Sequence, residues 1–544
     1  MKIQKRDGQL QEFEGEKIAQ AIRKAFRSTG TLIEESVLKE IIEDITKAAA
    51  ADKPMLSVEV VQDLVEEELM QHQFYKEAKN YILYRQKRTE SRKVVQDLVH
   101  ALQKEDLYSI LADIQQRYPD EGYDLRHLLM KFHSFLKEDM ESDERLHMLM
   151  KASVELISKE APKWEYIASR FLSYALHEEI SARMQKLELP VFSKKLKYLE
   201  EQGYYGDYIR KAYSDAEIDE LGAYLKDERD YLFTYSGLEL VKKRYLMCSH
   251  AHEVLETPQE MFMGIAMHLA LPEQNRMYWA KQIYDILSQL QVTMATPTMS
   301  NARKPYHQLS SCFIDTVEDT LNNIYKSVDN FAQVSKYGGG MGLYFGKVRA
   351  NGSDIRGFEG AAGGVIRWIK LVNDTATAVD QLGVRQGAVA VYLDAWHKDL
   401  PEFLNLRTNN GDDRMKAHDV FPAVCYPDLF WKLAEEDLNH EWHLLCPHDV
   451  LTVKGYALED FYGEEWERRY LDCVRDPRIP KRTVTVKDIV RLVLKSAVET
   501  GTPFAFNRDT VNRANPNGHR GIIYCSNLCT EIAQNMAPIE SVST

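Results

Sequence analysis

A short stretch near the end of the sequence combines three side chains that can do chemistry together. In CSNLCTEIAQN, which begins at Cys525, Asn527, Cys529 and Glu531 follow one another at intervals of two. If this stretch is extended, alternate side chains share one face, so an amide, a thiol and a carboxylate converge. The carboxylate could act as a base, the amide could orient a ligand, and the thiol could do covalent or radical chemistry. An edge strand with a solvated polar face and a buried cysteine fits the same pattern.

The cysteines fit neither a disulfide framework nor a zinc site. Their number is odd and they are widely spread, unlike the cysteines of small secreted domains. Cys525 and Cys529 form CxxxC without a neighbouring Cys/His pair. His397 and His448 lack a second histidine at i+2 or i+4, so both are expected to be structural. We therefore predict no metal site and expect reactive or redox-active thiols. The cysteines are Cys248, Cys312, Cys425, Cys446, Cys473, Cys525 and Cys529.

Three other regions carry groups that suit phosphate binding. The hydroxyls of Thr296, Ser310 and Ser311 precede Cys312 in a turn-rich stretch, which suits a phosphate or, equally, an ordinary loop entering a strand. Two glycine-rich stretches lack P-loop and Rossmann spacing, yet their basic residues could bind a nucleotide phosphate or simply be solvated at turns. Near the N-terminus, basic residues could converge on a triphosphate or lie scattered on the surface. The basic residues in question are Lys347, Arg349, Arg356 and Arg385, and Lys5, Arg6 and Lys17.

Composition indicates a multidomain globular protein. The chain has 544 residues, of which 44% are hydrophobic and 28% charged, with a net charge of −14. This balance supports large cores and argues against nucleic acid as a partner. A run of 18 apolar residues is absent from the sequence, and MKIQKRDGQL lacks the apolar core of a signal peptide. The sequence therefore predicts a cytoplasmic protein without a membrane partner.

Residues 1–92 read as a hairpin and four helices. The hairpin turns at Asp7 and Gly8, and Ile18, Ile22, Ala25 and Phe26 follow helical spacing in the first helix. Ser57 is the expected N-cap of the third helix, and Arg85 is expected near the end of the fourth.

Residues 93–305 read as mostly helical and residues 306–544 as alternating strands and helices. Ser142 is the expected cap of one helix, and Pro162, Pro190 and Pro258 mark expected helix boundaries. Alternating strands and helices indicate an α/β sheet or barrel. The expected strands are SCFI, GMGLYFGKV, GAVAVYL and VFPAVCY.

The order of these motifs resembles the large catalytic subunit of class I ribonucleotide reductase. The shared motifs are QLSSCFI, SKYGGGMGL, GSDIRG, GVRQGAVAVYLDAWHKDL, FPAVCYPDLFW and SNLCTEI. KRDGQLQEFEGEKI resembles the ATP-cone of that family. The resemblance implies an ATP-cone at 1–92, a helical domain at 93–305, and at 306–544 the first part of a ten-stranded α/β barrel with a central finger loop.

The resemblance also implies catalytic roles. Cys529 matches the thiol that becomes a thiyl radical and takes the 3′ hydrogen of a ribonucleotide. Glu531 matches the base for the 3′-hydroxyl, and Asn527 matches the amide that binds the ribose hydroxyls. Cys312 matches one of two thiols that reduce the 2′-carbon and end as a disulfide. Substrate-contacting positions are matched by Thr296 and Ser311.

Allosteric nucleotide sites are implied in the same way. Asp319 matches a residue that binds the effector ribose, residues 347–360 match the first loop of that site, and residues 381–386 match part of the second. Arg385 would reach from the effector site toward the base of the substrate. The specificity-site residues are Asp319, Lys347, Arg349, Arg356, Gln381 and Arg385. The ATP-cone residues are Lys5, Arg6, Lys17, Ser57 and Arg85.

The resemblance implies partners that the chain does not itself supply. Paired ExxH helices are absent from the sequence, so a di-metal radical cofactor is expected in a small partner subunit. ATP or dATP and dNTP effectors, ribonucleoside diphosphate substrates, self-association, and a dithiol reductant such as thioredoxin or glutaredoxin are also expected.

Several family features are expected to lie beyond Thr544. These are the second reducing cysteine, a phosphate-binding loop, two stacked tyrosines and a C-terminal cysteine pair. Cys525 would share a face with Cys529 by alternation but lies at the base of the loop, so it is not expected to replace the missing thiol. The chain is therefore expected to be an N-terminal portion that is inactive alone. The alternatives are a non-catalytic nucleotide-binding module, one piece of a split reductase, and a cobalamin-dependent or glycyl-radical relative.

Overall fold

The computed structural model describes most of the chain, in two compact units. The described residues are 2–4, 10–52, 55–137, 139–381, 383, 385–536 and 542–543. One unit comprises Met1–Leu176 with Phe233–Leu238, and the other His177–Leu232 with Glu239–Thr544. Within the described ranges, none of the helices has the length and apolar character needed to cross a bilayer.

The first unit begins with a small sheet covered by four helices. β1 lies in the centre, antiparallel to β2 and parallel to β3. Ile18, Ile22 and Phe26 are buried on one face of α1, which confirms the predicted helix. The strands and helices are β1 (Lys2–Gln4), β2 (Leu10–Glu12), α1 (Gly15–Ser28), α2 (Glu35–Asp52), β3 (Met55–Ser57), α3 (Val58–Gln71) and α4 (Tyr75–Leu102).

Two local expectations for this region were confirmed in part. Ser57 is the N-cap of α3, and its hydroxyl accepts a hydrogen bond from the Val60 backbone nitrogen at 3.3 Å. β1 and β2 form the predicted hairpin, although Asp7 and Gly8 lie outside the described residues. The third strand was missed because three residues are too few for an alternating pattern. Arg85 lies in the middle of α4, because neither glycine nor proline interrupts that helix before Leu102.

Helices continue through the rest of the first unit and into the second. The prediction that Ser142 caps α7 was wrong, because Ser142 is the first helical residue and Glu141 is the cap. The Glu144 carboxylate accepts from the Glu141 backbone nitrogen at 3.2 Å. The helices are α5 (Leu107–Arg117), α6 (Leu125–His133), α7 (Ser142–Val154), α8 (Trp164–Lys186), α9 (Phe192–Glu201), α10 (Asp207–Ala212), α11 (Asp215–Ala223), α12 (Tyr235–Arg244), α13 (Pro258–Leu269), α14 (Arg276–Ser288) and α15 (Thr296–Asn301).

A mixed α/β fold follows, as predicted, and the four expected strands are all present. Strands β4, β5, β6, β7 and β10 are parallel, and β11 adds antiparallel to β4, giving the order β10-β7-β6-β5-β4-β11. The strands are β4 (Cys312–Thr316), β5 (Gly340–Tyr344), β6 (Val389–Asp394), β7 (Val420–Tyr426), β10 (Phe504–Asn507) and β11 (Val542–Ser543), with a separate antiparallel pair β8 (Glu441–Leu445) and β9 (Lys481–Thr485).

The two faces of this sheet pack against different layers. Met341, Leu343 and Val391 belong to one core together with residues of helix α17. Tyr344 and Tyr392 point the other way, into a core completed by residues 522–536. The helices are α16 (Leu321–Lys336), α17 (Val365–Ala378), α18 (Leu400–Phe403), α19 (Asp428–Glu436), α20 (Pro447–Lys454), α21 (Gly463–Arg475), α22 (Val486–Thr500) and α23 (Arg508–Arg513).

Candidate active site and nucleotide sites

The segment that contains SNLCTEI lies directly against the second face of the sheet. Residues 521–536 have no regular secondary structure, and a turn spans residues 527–530. A Cβ at Gly342 would come within 1.9 Å of the Ser526 carbonyl oxygen, and one at Gly340 within 2.8 Å of the Leu528 side chain. The glycines of β5 therefore allow the segment to approach the sheet, a role that sequence reasoning did not assign to them.

Hydrogen bonds fold the 527–530 turn back on itself. The Asn527 side-chain oxygen accepts from the backbone nitrogens of Glu531 at 3.2 Å and Ile532 at 3.1 Å. Thr530 adopts a positive φ of 67°. The extended geometry considered from the sequence is therefore wrong, since the Asn527 amide captures backbone groups and replaces the strand by a turn. Asn527 is buried, whereas Cys529 and Glu531 are exposed.

The turn brings its carboxylate to a cysteine on a distant strand. The Cys312 thiol at the start of β4 donates to Glu531 Oε1 at 3.2 Å, across 219 positions of sequence. The Ser311 hydroxyl lies 3.2 Å from the same sulfur. Cys312 thus contacts both Ser311 and Glu531, and Glu531 directly follows the turn that contains Asn527 and Cys529. Thr296 has a different partner, because its hydroxyl lies 3.2 Å from that of Tyr245.

Both cysteines are held as thiols at neutral pH. Burial raises the pKa of Cys312, and the hydrogen bond to Glu531 raises it further, against opposing effects of Ser311 and Asn527. Although Cys529 is exposed, partial desolvation raises its pKa; Glu531 adds to this effect and Arg385 opposes it. Neutral S–H groups are the form that hydrogen-atom transfer from sulfur requires.

One donor in the site is left for a ligand. The Asn527 side-chain nitrogen is buried and has no geometrically good hydrogen-bond partner among the described residues, although it is close enough to Cys312 to favour the thiolate. Because the oxygen of the same amide is committed to the turn, Asn527 can offer a ligand only an N–H donor.

Cys525 does not share the environment of Cys529. It is fully buried, and its sulfur lies 3.8 Å from that of Met536. The expectation that the two cysteines share a face is wrong, because the turn breaks the alternation on which it rested.

A second concave region lies beside Asp319. This cavity, called here the Asp319 cavity, has a volume of about 530 Å³. Asp319 accepts from the Arg349 backbone nitrogen at 3.1 Å and from its Nε at 2.8 Å. The lining side chains include Asp319, Arg349, Arg356, Trp368 and His448. The sequence predicts a structural role for His448, and its separation from Asp319 along the chain gives no sign that the two residues line the same cavity.

Lys347, predicted for the same site, does not line the Asp319 cavity. Its ammonium group donates to Glu318 at 3.0 Å and lies 4.7 Å from the centre of the Tyr524 ring. Because Tyr524 directly precedes Cys525, Lys347 contacts the start of the segment that carries the 527–530 turn instead.

Gln381 and Arg385 form the two sides of a tight loop. The Gln381 backbone nitrogen donates to the Arg385 carbonyl at 2.6 Å, and the reverse bond is 3.2 Å long. The Gln381 side chain donates to the Gly339 carbonyl at 3.0 Å, which ties the loop to the start of β5. Arg385 is exposed, and its charge lowers the pKa of the Cys529 thiol.

The N-terminal region contains a basic pocket of about 530 Å³, called here the cone pocket. Its lining includes the predicted Lys17 and Arg85, and the basic residues Lys24, Arg88 and Arg92 that sequence reasoning missed. A smaller cavity of about 290 Å³ shares Lys17 and Tyr81 with it. Lys5 and Arg6 lie outside the described residues.

The remaining predicted cone residues are engaged within the protein. Arg85 forms ion pairs with Glu59 at 2.9 Å and Glu66 at 2.8 Å, and also with Asp63. Ser57 caps α3 and is not among the residues that line the cone pocket.

The histidines and carboxylates also bear on the prediction of no metal. His397 is structural, as expected, because it is buried with Nε2 2.9 Å from the Val348 carbonyl. Asp44, Glu68 and His72 bring ligand-type atoms within 4.8 Å of one another in the described part of the chain. Such a group could hold a cation, so the absence of a metal stays a prediction.

Comparisons with protein families match three parts of the chain in order. Residues 1–90 match the ATP cone domain, residues 231–307 the ribonucleotide reductase all-alpha domain, and residues 310–543 the ribonucleotide reductase barrel domain. This chain belongs to the ribonucleotide reductase family. The predicted family and fold class are therefore confirmed, with the sheet, the 527–530 turn and the Asp319 cavity inside the region matched as the reductase barrel.

Similar curated reductases are longer than this chain. The alpha subunit of ribonucleoside-diphosphate reductase from Treponema pallidum is 58% identical over 100% of this chain and 65% of its own length. The corresponding subunit from Helicobacter pylori strain J99 is 40% identical over 74% of this chain and 49% of its own length. The Chlamydia muridarum subunit is 35% identical over 99% of this chain and 54% of its own length. The chain thus spans about half to two thirds of the length of these relatives.

Proposed function

We propose that this chain carries the catalytic turn and the effector sites of a ribonucleoside-diphosphate reductase large subunit. Its reaction would convert ribonucleotides to 2′-deoxyribonucleotides by thiyl-radical chemistry. The observation that supports this most is the 3.2 Å contact between the Cys312 thiol and Glu531. Glu531 directly follows the turn that contains Asn527 and Cys529.

Each side chain then has a defined task. The Cys529 thiyl radical takes the hydrogen atom from C3′ and later returns it, while Glu531 takes the proton of the 3′-hydroxyl. Asn527 donates its side-chain N–H to a ribose oxygen, and Thr296 and Ser311 contact the substrate. The raised thiol pKa values support these roles, because they keep hydrogen on sulfur.

The reduction itself needs two electrons and therefore two thiols. The C2′–OH bond breaks as water leaves, a C2′–H bond forms, and Cys312 and a second cysteine end as a disulfide. Cys525 is a poor candidate for the second thiol because it is fully buried beside Met536. An external dithiol such as thioredoxin or glutaredoxin would restore the pair.

The radical and its metal would come from a small partner subunit, with self-association of the large subunit. dNTP effectors would bind the Asp319 cavity, and ATP or dATP the cone pocket. The division at 1–92, 93–305 and 306–544 remains part of the proposal, although α4 runs through its first boundary. A cytoplasmic location is proposed as well.

The test is Cys529→Ser with Cys248→Ser as a control of another partly accessible thiol. Both variants are assayed for dNTP formation with the small subunit. The part of the treponemal relative that this chain does not span is added as a separate polypeptide. We expect Cys529→Ser to abolish product and Cys248→Ser to retain it. Substantial turnover by Cys529→Ser would refute the radical-thiol assignment.

A second candidate is a nucleotide-binding module without chemistry of its own. It is favoured by the two cavities of about 530 Å³, the cone pocket and the Asp319 cavity, which both have basic side chains in their lining. Binding of ATP, dATP and dTTP with no turnover, even when the additional polypeptide is supplied, would favour the module. Turnover restored by that polypeptide would favour the reductase.

A further inference from the structure

A buried hydroxyl on the central sheet contacts the turn that carries Cys529. Tyr392 lies on β6, and its side chain is fully buried. Its hydroxyl donates to the Asn527 carbonyl oxygen at 2.6 Å and lies 3.4 Å from the Thr530 hydroxyl. Burial raises the pKa of Tyr392, which keeps the phenol protonated and able to donate.

The turn itself is in a conformation that needs such support. Thr530 is β-branched and has a φ of 67°, a region that such residues rarely adopt without compensation. Tyr392 contacts both ends of the turn, at the Asn527 carbonyl and the Thr530 side chain. Cys529 lies between these two residues and is exposed. Because little packs against its side chain, its position depends on how Asn527 and Thr530 are held.

Tyr392 lies on a strand that is paired on both sides. β6 is hydrogen-bonded to β5 on one side and β7 on the other, and the Tyr392 ring packs edge-on against Phe506 at 5.9 Å. Gly342 on β5 lets the backbone at Ser526 close onto the sheet. Small displacements of a reacting group can reduce a rate strongly, because hydrogen transfer requires near-contact geometry.

From this arrangement we propose that Tyr392 is a positioning residue of the radical reaction. Its hydroxyl sets the conformation of the 527–530 turn and hence the placement of Cys529 toward the substrate. The role of Tyr392 in catalysis rests on the proposed function. Its role in holding the 527–530 turn does not.

The support is tested on this chain alone by amide hydrogen exchange. Tyr392→Phe removes one oxygen and leaves the ring in place. Tyr426→Phe removes a hydroxyl from a buried tyrosine on β7 that packs against Phe430 and Trp431, and serves as the control. We expect exchange at Glu531 and Ile532 to accelerate about tenfold in Tyr392→Phe, as for a lost structural hydrogen bond, and to be unchanged in Tyr426→Phe. Unchanged exchange in Tyr392→Phe would overturn the proposal.

The catalytic meaning is tested in the reconstituted enzyme. We expect kcat of Tyr392→Phe to fall about tenfold or more, and by a larger factor than KM rises, because the turn carries the Cys529 sulfur and only one of the proposed substrate contacts. An unchanged kcat would overturn the positioning role. If Cys529→Ser were active, the proposed function would fail, while accelerated exchange in Tyr392→Phe would still establish the mechanical support.

A second variant covers the case in which Tyr392→Phe does not fold, as judged by circular dichroism and Tm. Thr530→Val keeps the side-chain shape and deletes the second contact of the tyrosine hydroxyl. A smaller acceleration of exchange at Glu531 is expected in this variant. Exchange identical to that of the unmodified chain would count against the proposal.

Discussion

The 527–530 turn and the cone pocket are built in opposite ways. At the turn, Asn527 and Tyr392 are fully buried and make hydrogen bonds to backbone groups at positions 527, 531 and 532. The cone pocket is lined by long cationic side chains on helices, with Lys17 and Lys24 exposed to solvent. The turn fixes the position of one sulfur atom, whereas the cone pocket supplies positive charge over a wide surface.

The difference predicts how each region responds to mutation. Changing one atom at the turn should have a large effect, because the buried contacts are coupled to one another. Changing one charge in the cone pocket should have a small, salt-dependent effect, because solvent screens exposed charges. The following experiments test this contrast.

The largest effect is expected from Glu531→Gln. The amide keeps the size of the side chain but removes the base next to Cys312, so kcat should fall about 100-fold or more, the usual contribution of general base catalysis. Turnover in the reconstituted enzyme measures the effect, and Glu436→Gln, an exposed carboxylate of α19, is the control. Activity within a few-fold of the unmodified enzyme would argue against Glu531 as the base.

A smaller but still large effect is expected from Gly342→Ala. Because the new Cβ would lie 1.9 Å from the Ser526 carbonyl oxygen, the segment must move away from the sheet. Overpacking of this kind destabilises by about 1–3 kcal/mol, and kcat should fall about tenfold. Thermal unfolding and turnover are measured together. Gly122→Ala is the control, because a Cβ there meets nothing within 4 Å. If Gly342→Ala behaved like Gly122→Ala, the close approach of the segment would not matter for the site.

The turn also shows where sequence reasoning ends. Hydrophobic runs and caps report local structure, and they correctly predicted β4 to β7 and the Ser57 cap. The roles of Gly342 and Tyr392 depend on a segment more than 100 positions away lying on the sheet, which pattern alone does not reveal. The motif order of the family predicted that Cys312 and Glu531 belong to one site, but not that Asn527 would turn the chain back on itself.

In the cone pocket and the Asp319 cavity, the sequence likewise fails to predict which groups the charged residues contact. A basic residue in sequence does not reveal what it pairs with. Arg85 is held by carboxylates of α3, and Lys347 contacts Glu318 and Tyr524 instead of the cavity. His448, near the start of α20, lines the same cavity as Asp319, and its Nδ1 lies 3.8 Å from the Asp319 carboxylate. These partners are set by tertiary packing, which spacing along the chain cannot report.

In the cone pocket, Lys17→Ala combined with Lys24→Ala should weaken ATP binding about tenfold, or about 1.4 kcal/mol, through loss of two cations near the phosphates. Isothermal titration calorimetry with ATP measures this, and dTTP binding should stay unchanged as the internal control. The loss should shrink at high salt. Equal ATP affinity in the double variant would indicate that the cone pocket does not bind the triphosphate.

A smaller effect of opposite sign is expected from Asp63→Asn. Asp63 pairs with Arg85, which lines the cone pocket. Removing one negative charge should free Arg85 for a phosphate and strengthen ATP binding about two- to threefold, as expected for an exposed pair. Glu67→Gln, an exposed carboxylate of the same helix, is the control. Weaker ATP binding in Asp63→Asn would indicate that the carboxylate assists the ligand, for example by holding its cation.

The smallest effect is expected from Arg385→Ala, which should change the reactivity of the Cys529 thiol in the 527–530 turn. Burial and Glu531 raise the pKa of Cys529, and the Arg385 charge lowers it. Arg385→Ala removes the only one of these influences that favours the thiolate, so the pKa of Cys529 should rise further. Because the thiolate is the species that reacts with iodoacetamide, alkylation of Cys529 at about pH 8 should slow by about twofold. The rate is followed by mass spectrometry over pH, with Arg414→Ala as an exposed control. A faster reaction in Arg385→Ala would mean that the loop shields Cys529 sterically more than it stabilises its charge. The 381–385 loop would then act on the turn by contact, as Tyr392 does, and not by charge, as the cone residues do.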